Sequence, residues 1–424
     1  MKILVMLCLI LNLACASAVR AAEQQLSVSK SVYTLAQLLE SALAQNEAVS
    51  SARSRAEAMV WAVKQSKAFQ NPRGRFSLGR KTVESAEGSL FEAEISQPIF
   101  FPGKKKIRTR LAELDAEASR HRQSKIESDV AQEVAELAYD HAIFQKKLDF
   151  AEKRLQRMTL VKSYLQGHVF ASPQKQAERS VVEYRLMDLS AEKIKAESEL
   201  VKIRERIGVL VNIEGNSEID VQVPWLAGTR AVNEDQWKAG ILAKNPDLLE
   251  QKLSVLAAKA QNSLDFREAW PDVEATLFVG QESAGEMEKT AGGGLSMPLP
   301  VFNRNRSGAA RSGLNARAEA ELLALEEKKL SAGIKILLME IRASRELVRL
   351  YPMSLISSLE KDVGAAESEF RKGRADLLIY LELEDEVAET YDHCLEAQKS
   401  LADSLTHLFT MAGDKDFSPE LVQY

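Results

Sequence analysis

Apolar positions recur at alternating steps of four and three residues over a very long stretch of this chain. They fall at Val130, Val134, Leu137, His141, Phe144, Leu148, Ala151, Leu155 and Met158. The pattern resumes at Val182, Leu186, Leu189, Lys193, Ala196, Leu200, Ile203 and Ile207. A sustained seven-residue repeat is the mark of helices packed as coiled coils. An unbroken helix over 109–166 would measure about 87 Å at 1.5 Å per residue. No compact domain holds such a helix, so the helices must pair as antiparallel hairpins, forming a rod or the wall of a tube. In the second half, Leu322, Leu325, Lys329, Ala332, Ile336, Met339 and Ala343 are expected to face a core. So is a broader stripe through Leu381, Ala388, Tyr391, Leu395, Ala402, Leu405 and Phe409.

The chain reads as a duplication. LESALAQNEAV (39–49) aligns with KAGILAKNPDL (238–248) at a spacing of 199 residues, which also sets Asn71-Pro72 over Trp270-Pro271. Each half then carries a short alternating segment, a polar loop (83–89 or 281–289), a second alternating segment ending on proline, and a long helical hairpin. The expected repeats are 34–208 and 234–413, joined by 209–233 and followed by a tail, 414–424. Strands are expected at about 75–81, 91–98, 273–280 and 292–298, with hairpin turns at 166–173 and 372–376. Gly167 and Ser172-Pro173 supply helix stop and start signals in the first turn, and Gly373 and Asp376 in the second.

In FEAEISQ (91–97), Phe91, Ala93 and Ile95 share one face and Glu92, Glu94 and Ser96 the other. Phe76 and Leu78, then Ala275, Leu277 and Val279, then Leu295 and Met297, alternate likewise. Apolar-out, polar-in alternation is the pattern of a transmembrane β-strand between lipid and an aqueous lumen. Four strands cannot close a barrel, and open edges are not tolerated in lipid. The chain is therefore expected to oligomerise: two copies would supply eight strands, whose interior side chains fill, and three would supply twelve with cyclic symmetry, room for a water-filled channel.

The N-terminus, MKILVMLCLILNLACASAVRAAEQ, is a Sec-type signal peptide over 1–18, with Ala21 a second cleavage point. Cys15 raises the question of a lipid anchor, although Asn12 stands where an aliphatic residue is expected. Only Cys394 survives cleavage, so no intrachain disulfide is expected. A net charge of −5, with no basic stripe interleaved with aromatics, gives no case for nucleic-acid binding. No catalytic constellation, metal site or cofactor motif is present: His121, His141, His168, His393 and His407 lack ligand spacing. His141 reads as a packed seam residue, and His393-Cys394 as a poor metal pair, since neighbours on a helix point about 100° apart.

QPIFFPGKK (97–105), MPLPVFNRN (297–305), the glycine turns and the duplicated order resemble the outer-membrane efflux proteins of the TolC family over nearly the whole mature chain. The segment GGGLSMPLPVFNRNRSG is similar to the heavy-metal, CzcC-type branch. The resemblance implies a mainly α protein with a small β part: a homotrimer whose twelve-stranded β-barrel continues as a periplasmic α-barrel. It also implies a periplasmic membrane-fusion adaptor and an inner-membrane pump of the resistance-nodulation-division type as partners. On that basis Gly167, His168, Val169, Ser172, Gly373, Arg374 and Asp376 are adaptor-contact tips. The turn at Gly373 departs most from the family's pattern of glycine, aliphatic residue, then Ser or Thr.

Pro98, Pro102, Gly103, Pro298, Pro300 and Phe302 are expected at barrel-to-helix joints, the prolines ending sheet pairing. The basic clusters that follow, Lys104-Lys105-Lys106-Arg108 and Arg304-Arg306-Arg311, suit anchors at lipid phosphates. Glu382, Glu384 and Asp385 are candidate tunnel acids that would concentrate cations. The whole reads as a passive exit duct in the outer membrane for heavy-metal cations. A duct for organic compounds is the alternative. A periplasmic adaptor fits less well, since it would carry one hairpin rather than two.

Overall fold

The computed structural model describes residues 31–83, 86–167, 173–213, 219–227, 234–284 and 286–417. The signal segment with Cys15, and the tip residues His168, Val169 and Ser172, lie outside them. The first half contains β1 (Ser31–Thr34), α1 (Leu35–Gln45), α2 (Glu47–Lys67), β2 (Arg73–Val83), β3 (Ala86–Ile99), α3 (Lys104–Gly167) and α4 (Pro173–Val211). The second contains β4 (Ile219–Gln222), α5 (Glu234–Lys244), α6 (Pro246–Arg267), β5 (Val273–Ala284) and β6 (Glu286–Ser296). It ends with α7 (Arg306–Leu350), α8 (Leu355–Arg371) and α9 (Leu377–Met411). None of these helices is long and apolar enough to cross a membrane.

The chain divides into two units. Unit one comprises Met1–Ser50, Glu127–Lys238 and Gly333–Tyr424; unit two comprises Ser51–Ile126 and Ala239–Ala332. In unit one, β1 pairs in parallel with β4. Thr34 then starts α1 with a reciprocal capping box: its Oγ1 accepts from the Gln37 N–H, and its own N–H donates to Gln37 Oε1. The long helices bury one continuous core, with Met158, Val161, Val182 and Leu189 against Val363, Phe370, Tyr380, Leu381 and Tyr391. Phe150 and Tyr391 stack at 4.0 Å within it.

Unit two holds a four-stranded antiparallel sheet in the order β2-β3-β5-β6, beside a small-residue helix core of Leu114, Ala118, Leu253, Ala257 and Ala260. In the two units respectively, an asparagine splits a helical stretch in the same way. Asn46 Oδ1 accepts from the Ala48 N–H, and Asn245 Oδ1 from the Leu248 N–H, so each caps the helix that follows.

Three expectations change. Among the described residues, the polar segments expected as loops are strand instead: pairing continues to Val83↔Ala86 and Ala284↔Glu286. Backbone pairing requires no apolar side chains, so composition hid the extra length. The first long helix of the second half is broken between α7 and α8, around Pro352, which cannot continue a helical hydrogen-bond ladder. Finally, the expected core stripe of α7 is exposed, Leu322 at 46%, Ile336 at 57% and Met339 at 68%. The stripe that is buried is Ile334, Leu337, Leu338, Ile341, Ser344 and Val348. Helix α7 is apolar on two faces, and the chain itself covers one.

Candidate functional site

The sheet register sorts side chains into two faces. Phe76 lies opposite Ala93, Leu78 opposite Phe91, Ile95 opposite Leu277 and Ala275 opposite Leu295. Directly paired residues share a face, so Phe76, Leu78, Phe91, Ile95, Leu277, Val279 and Leu295 form one apolar surface. All of them are exposed, Leu78 at 83% and Leu295 at 80%. A contiguous apolar face of this kind calls for a covering partner or lipid.

The opposite face carries charge. Arg75 pairs with Glu94 at 3.7 Å, Arg73 with Glu274 at 3.8 Å, and Lys81 with Glu282. Ser96 Oγ donates to Glu274 Oε1 at 2.7 Å. Strands β2 and β6 are edges of this sheet.

The segment between β3 and α3 is held by a buried cation. Lys104, only 2% exposed at its side chain, places Nζ 3.2 Å from Glu268 and 3.0 Å from Asp272. It also donates to the Trp270 carbonyl at 2.7 Å. Arg108 reaches Glu268 at 2.9 Å, the Phe101 N–H donates to Asp272 at 2.8 Å, and Phe101 stacks on Trp270 at 5.6 Å. Lys104 is therefore not a lipid anchor: its charge is satisfied inside the protein, and Gly103, at φ +89°, turns the chain into that position. Lys105 keeps an outward role, its Nζ lying 3.5 Å over the exposed Phe69 ring.

Pro98 does not end its strand. Residues 97–99 remain paired with β5 after pairing with β2 has stopped at Ser96, so the missing N–H can face the open side. Pro298 and Pro300 do follow the end of β6 at Ser296. Phe302 is fully exposed, and Asn305, at φ +53°, donates from Nδ2 to the Asp265 carbonyl at 2.9 Å.

In unit one, the acidic run separates by helix face. Glu382 is exposed. Glu384 is 1% exposed and accepts from Arg154 Nε at 2.9 Å, so it cannot line an aqueous space. Asp385, half-buried, pairs with Arg185 and lies 3.8 Å from Arg154. Glu192 completes the cluster at 2.9 Å from Arg154. Burial opposes the Arg154 charge, but the hydrogen bond and field of Glu384, with Glu192 and Asp385, hold the guanidinium above its ordinary range. Tyr380 beside it is pushed up to about 12, by burial first and Glu384 second.

Gly167 ends α3. Gly373, at φ +71°, ends α8 in a Schellman pattern, with Gly373 N–H to Phe370 O at 2.9 Å and Arg374 N–H to Glu369 O at 2.9 Å. Asp376 Oδ1 then caps α9 through the Leu378 N–H. The Arg374 charge lies 3.1 Å from Glu369, and Lys372 first, then Arg374, holds that carboxyl below its usual range. His141 is buried and accepts from Arg204 at 3.4 Å. Cys394 is buried while His393 is half-exposed near Tyr351. Among the described residues no group of His, Cys, Asp or Glu is placed to hold a metal.

Residues 239–414 match the family profile described as outer membrane efflux protein. The fold agrees over almost the entire chain. CusC, known from crystal structures on folding and transmembrane channel formation, is 14% identical at a TM-score of 0.70, covering 90% of this chain and 92% of its own. The open-state MtrE outer membrane channel of Neisseria gonorrhoeae is 14% identical at 0.66, with 90% and 89% covered. The CmeC outer membrane channel of Campylobacter jejuni is 14% identical at 0.65, with 91% and 88% covered. No curated protein matches the sequence.

The chain thus shares with these outer membrane channels a mainly helical fold with a small four-stranded sheet. Sequence reading missed the Lys104 and Arg154 clusters, whose partners lie far away in the chain. It also passed over Phe278, an aromatic at a polar-face position of an otherwise regular alternation, which was the available signal.

Proposed function

We propose that three copies of this chain close a twelve-stranded barrel and a helical tube, forming the exit duct of a tripartite efflux system for heavy-metal cations. The observation that carries the trimer is unpartnered surface of two kinds. The sheet has two free edges, β2 and β6, and one face with an exposed apolar band, and lipid tolerates only a closed sheet. The helices carry second apolar stripes, Ile336, Met339 and Leu350 on α7 and Tyr184, Met187, Ile194 and Val201 on α4, all exposed in one chain. Seams of this kind are what neighbouring copies of a coiled-coil tube cover.

On this reading Gly167, His168, Val169, Ser172, Gly373, Arg374 and Asp376 meet the periplasmic adaptor, and a resistance-nodulation-division pump supplies the energy. Pro102, Gly103, Pro298, Pro300 and Phe302 mark the joints between barrel and helices, and Glu382 and Asp385 remain the acids that attract cations. The metal assignment rests on the likeness of GGGLSMPLPVFNRNRSG to the heavy-metal branch. A strain lacking the protein is expected to become sensitive to zinc, cobalt, cadmium, nickel, copper or silver. Sensitivity confined to dyes and detergents would overturn the metal cargo. Recovery of the protein from the soluble periplasm would overturn the duct.

A further inference from the structure

Phe278 breaks the chemistry of the face it occupies. Its register partners are Glu94 on one side and Gly292 on the other, which puts it on the charged face with Arg75 and Glu274. The tip of the ring reaches over the strand at Gly292, where an added Cβ would stand 2.6 Å from Phe278 Cζ. Glycine at 292 is thus what allows the aromatic to rest on the wall. Around it on the same face stand Thr276, Gly280, Gly294, Glu92 and Glu94. No apolar side chain is among these neighbours, and the ring remains 44% exposed. Packing therefore does not explain an aromatic here. Glu94 pairs with Arg75 at 3.7 Å, an ion pair on the surface with Arg75 76% exposed.

We propose that Phe278, seated on Gly292 and flanked by Glu92 and Glu94, is a contact site in the barrel lumen for organic cations such as quaternary ammonium ions. An exposed ring face attracts a weakly hydrated cation through its quadrupole, and adjacent carboxylates add long-range attraction. The contact is one of transit, brief enough to release the cation. It rests on the duct reading, in which the charged face lines the lumen, and it extends the cargo beyond metal ions.

The test is block of potassium current by tetrabutylammonium through the protein reconstituted in planar phospholipid bilayers. Phe278→Ala and Phe278→Leu are expected to raise the half-blocking concentration about two- to fivefold. Phe278→Trp is expected to lower it, which a merely structural role would not produce, and Glu94→Gln to raise it independently. Gly292→Val should lift the ring from its seat and change both block and conductance. Equal block in wild type, Phe278→Leu and Phe278→Trp overturns the site while leaving the duct standing. A wild-type chain that forms no channel overturns the duct and the site together.

Discussion

Two connections lead from the sheet into long helices, and they are built in opposite ways. Both follow the same order of alternating segment, prolines, apolar pair and basic cluster. In the first, Lys104 is drawn inside, and Glu268, Asp272, Arg108, Phe101 and Trp270 close around it. In the second, Phe302 is fully exposed, Arg304 and Arg306 are exposed, and the main tie is one amide hydrogen bond from Asn305 to the Asp265 carbonyl. The carboxylates that receive Lys104 come from the segment just after α6, in the other half of the chain. The difference teaches that a duplicated pattern need not keep duplicated energetics: one copy carries the fixed contact and the other is left outward-facing.

Breaking the first connection should have the largest effect. Lys104→Ala leaves Glu268 and Asp272 facing each other without their buried cation, and about 3–5 kcal/mol should be lost. The detergent-solubilised protein would melt at a lower temperature by circular dichroism. Combining Lys104→Met with Glu268→Gln and Asp272→Asn should recover most of that loss, since removing a buried charge set as a whole is close to neutral. An unchanged melting temperature in Lys104→Ala would remove the contrast altogether.

Smaller changes sharpen it. Asn305→Ala should cost about 1–2 kcal/mol by thermal melting, from the left-handed backbone and the lost hydrogen bond to Asp265. Asn305→Gly should cost less, because it keeps the backbone freedom. If both substitutions cost the same, the backbone conformation is not what that asparagine supplies. Trp270→Ala removes the stack on Phe101 and should cost about 1 kcal/mol, measured the same way. Phe302→Ser should leave the melting temperature within the roughly 0.5 kcal/mol range of an exposed site. A large loss there would show that the second connection is packed after all.

Much of the architecture was legible in the residues. The heptads of α3 and α4 are buried at Val134, Leu137, Met158, Val182, Leu189 and Leu200, as their spacing requires. The alternation of Phe91, Ala93 and Ile95 became one sheet face because period two admits no other arrangement in a strand. The stripe on α7 was misassigned because the helix has two apolar stripes, and spacing alone does not say which one its own chain covers. Glu384 was read as a candidate tunnel acid. Only folding brings it to Arg154, 230 residues away in sequence.

By itself, then, the sequence determined what local periodicity and backbone chemistry dictate: long paired helices, alternating strands, and helix ends at glycine, asparagine and proline. Tertiary structure alone decided which like-charged or apolar residues are satisfied inside the chain and which face outward. Lys104 and Lys105 are neighbours of identical chemistry, one buried among carboxylates and the other held over an exposed ring. The physical reason is range. Periodicity is a property of neighbours along the chain, whereas burial and ion pairing depend on which distant segment the fold places alongside.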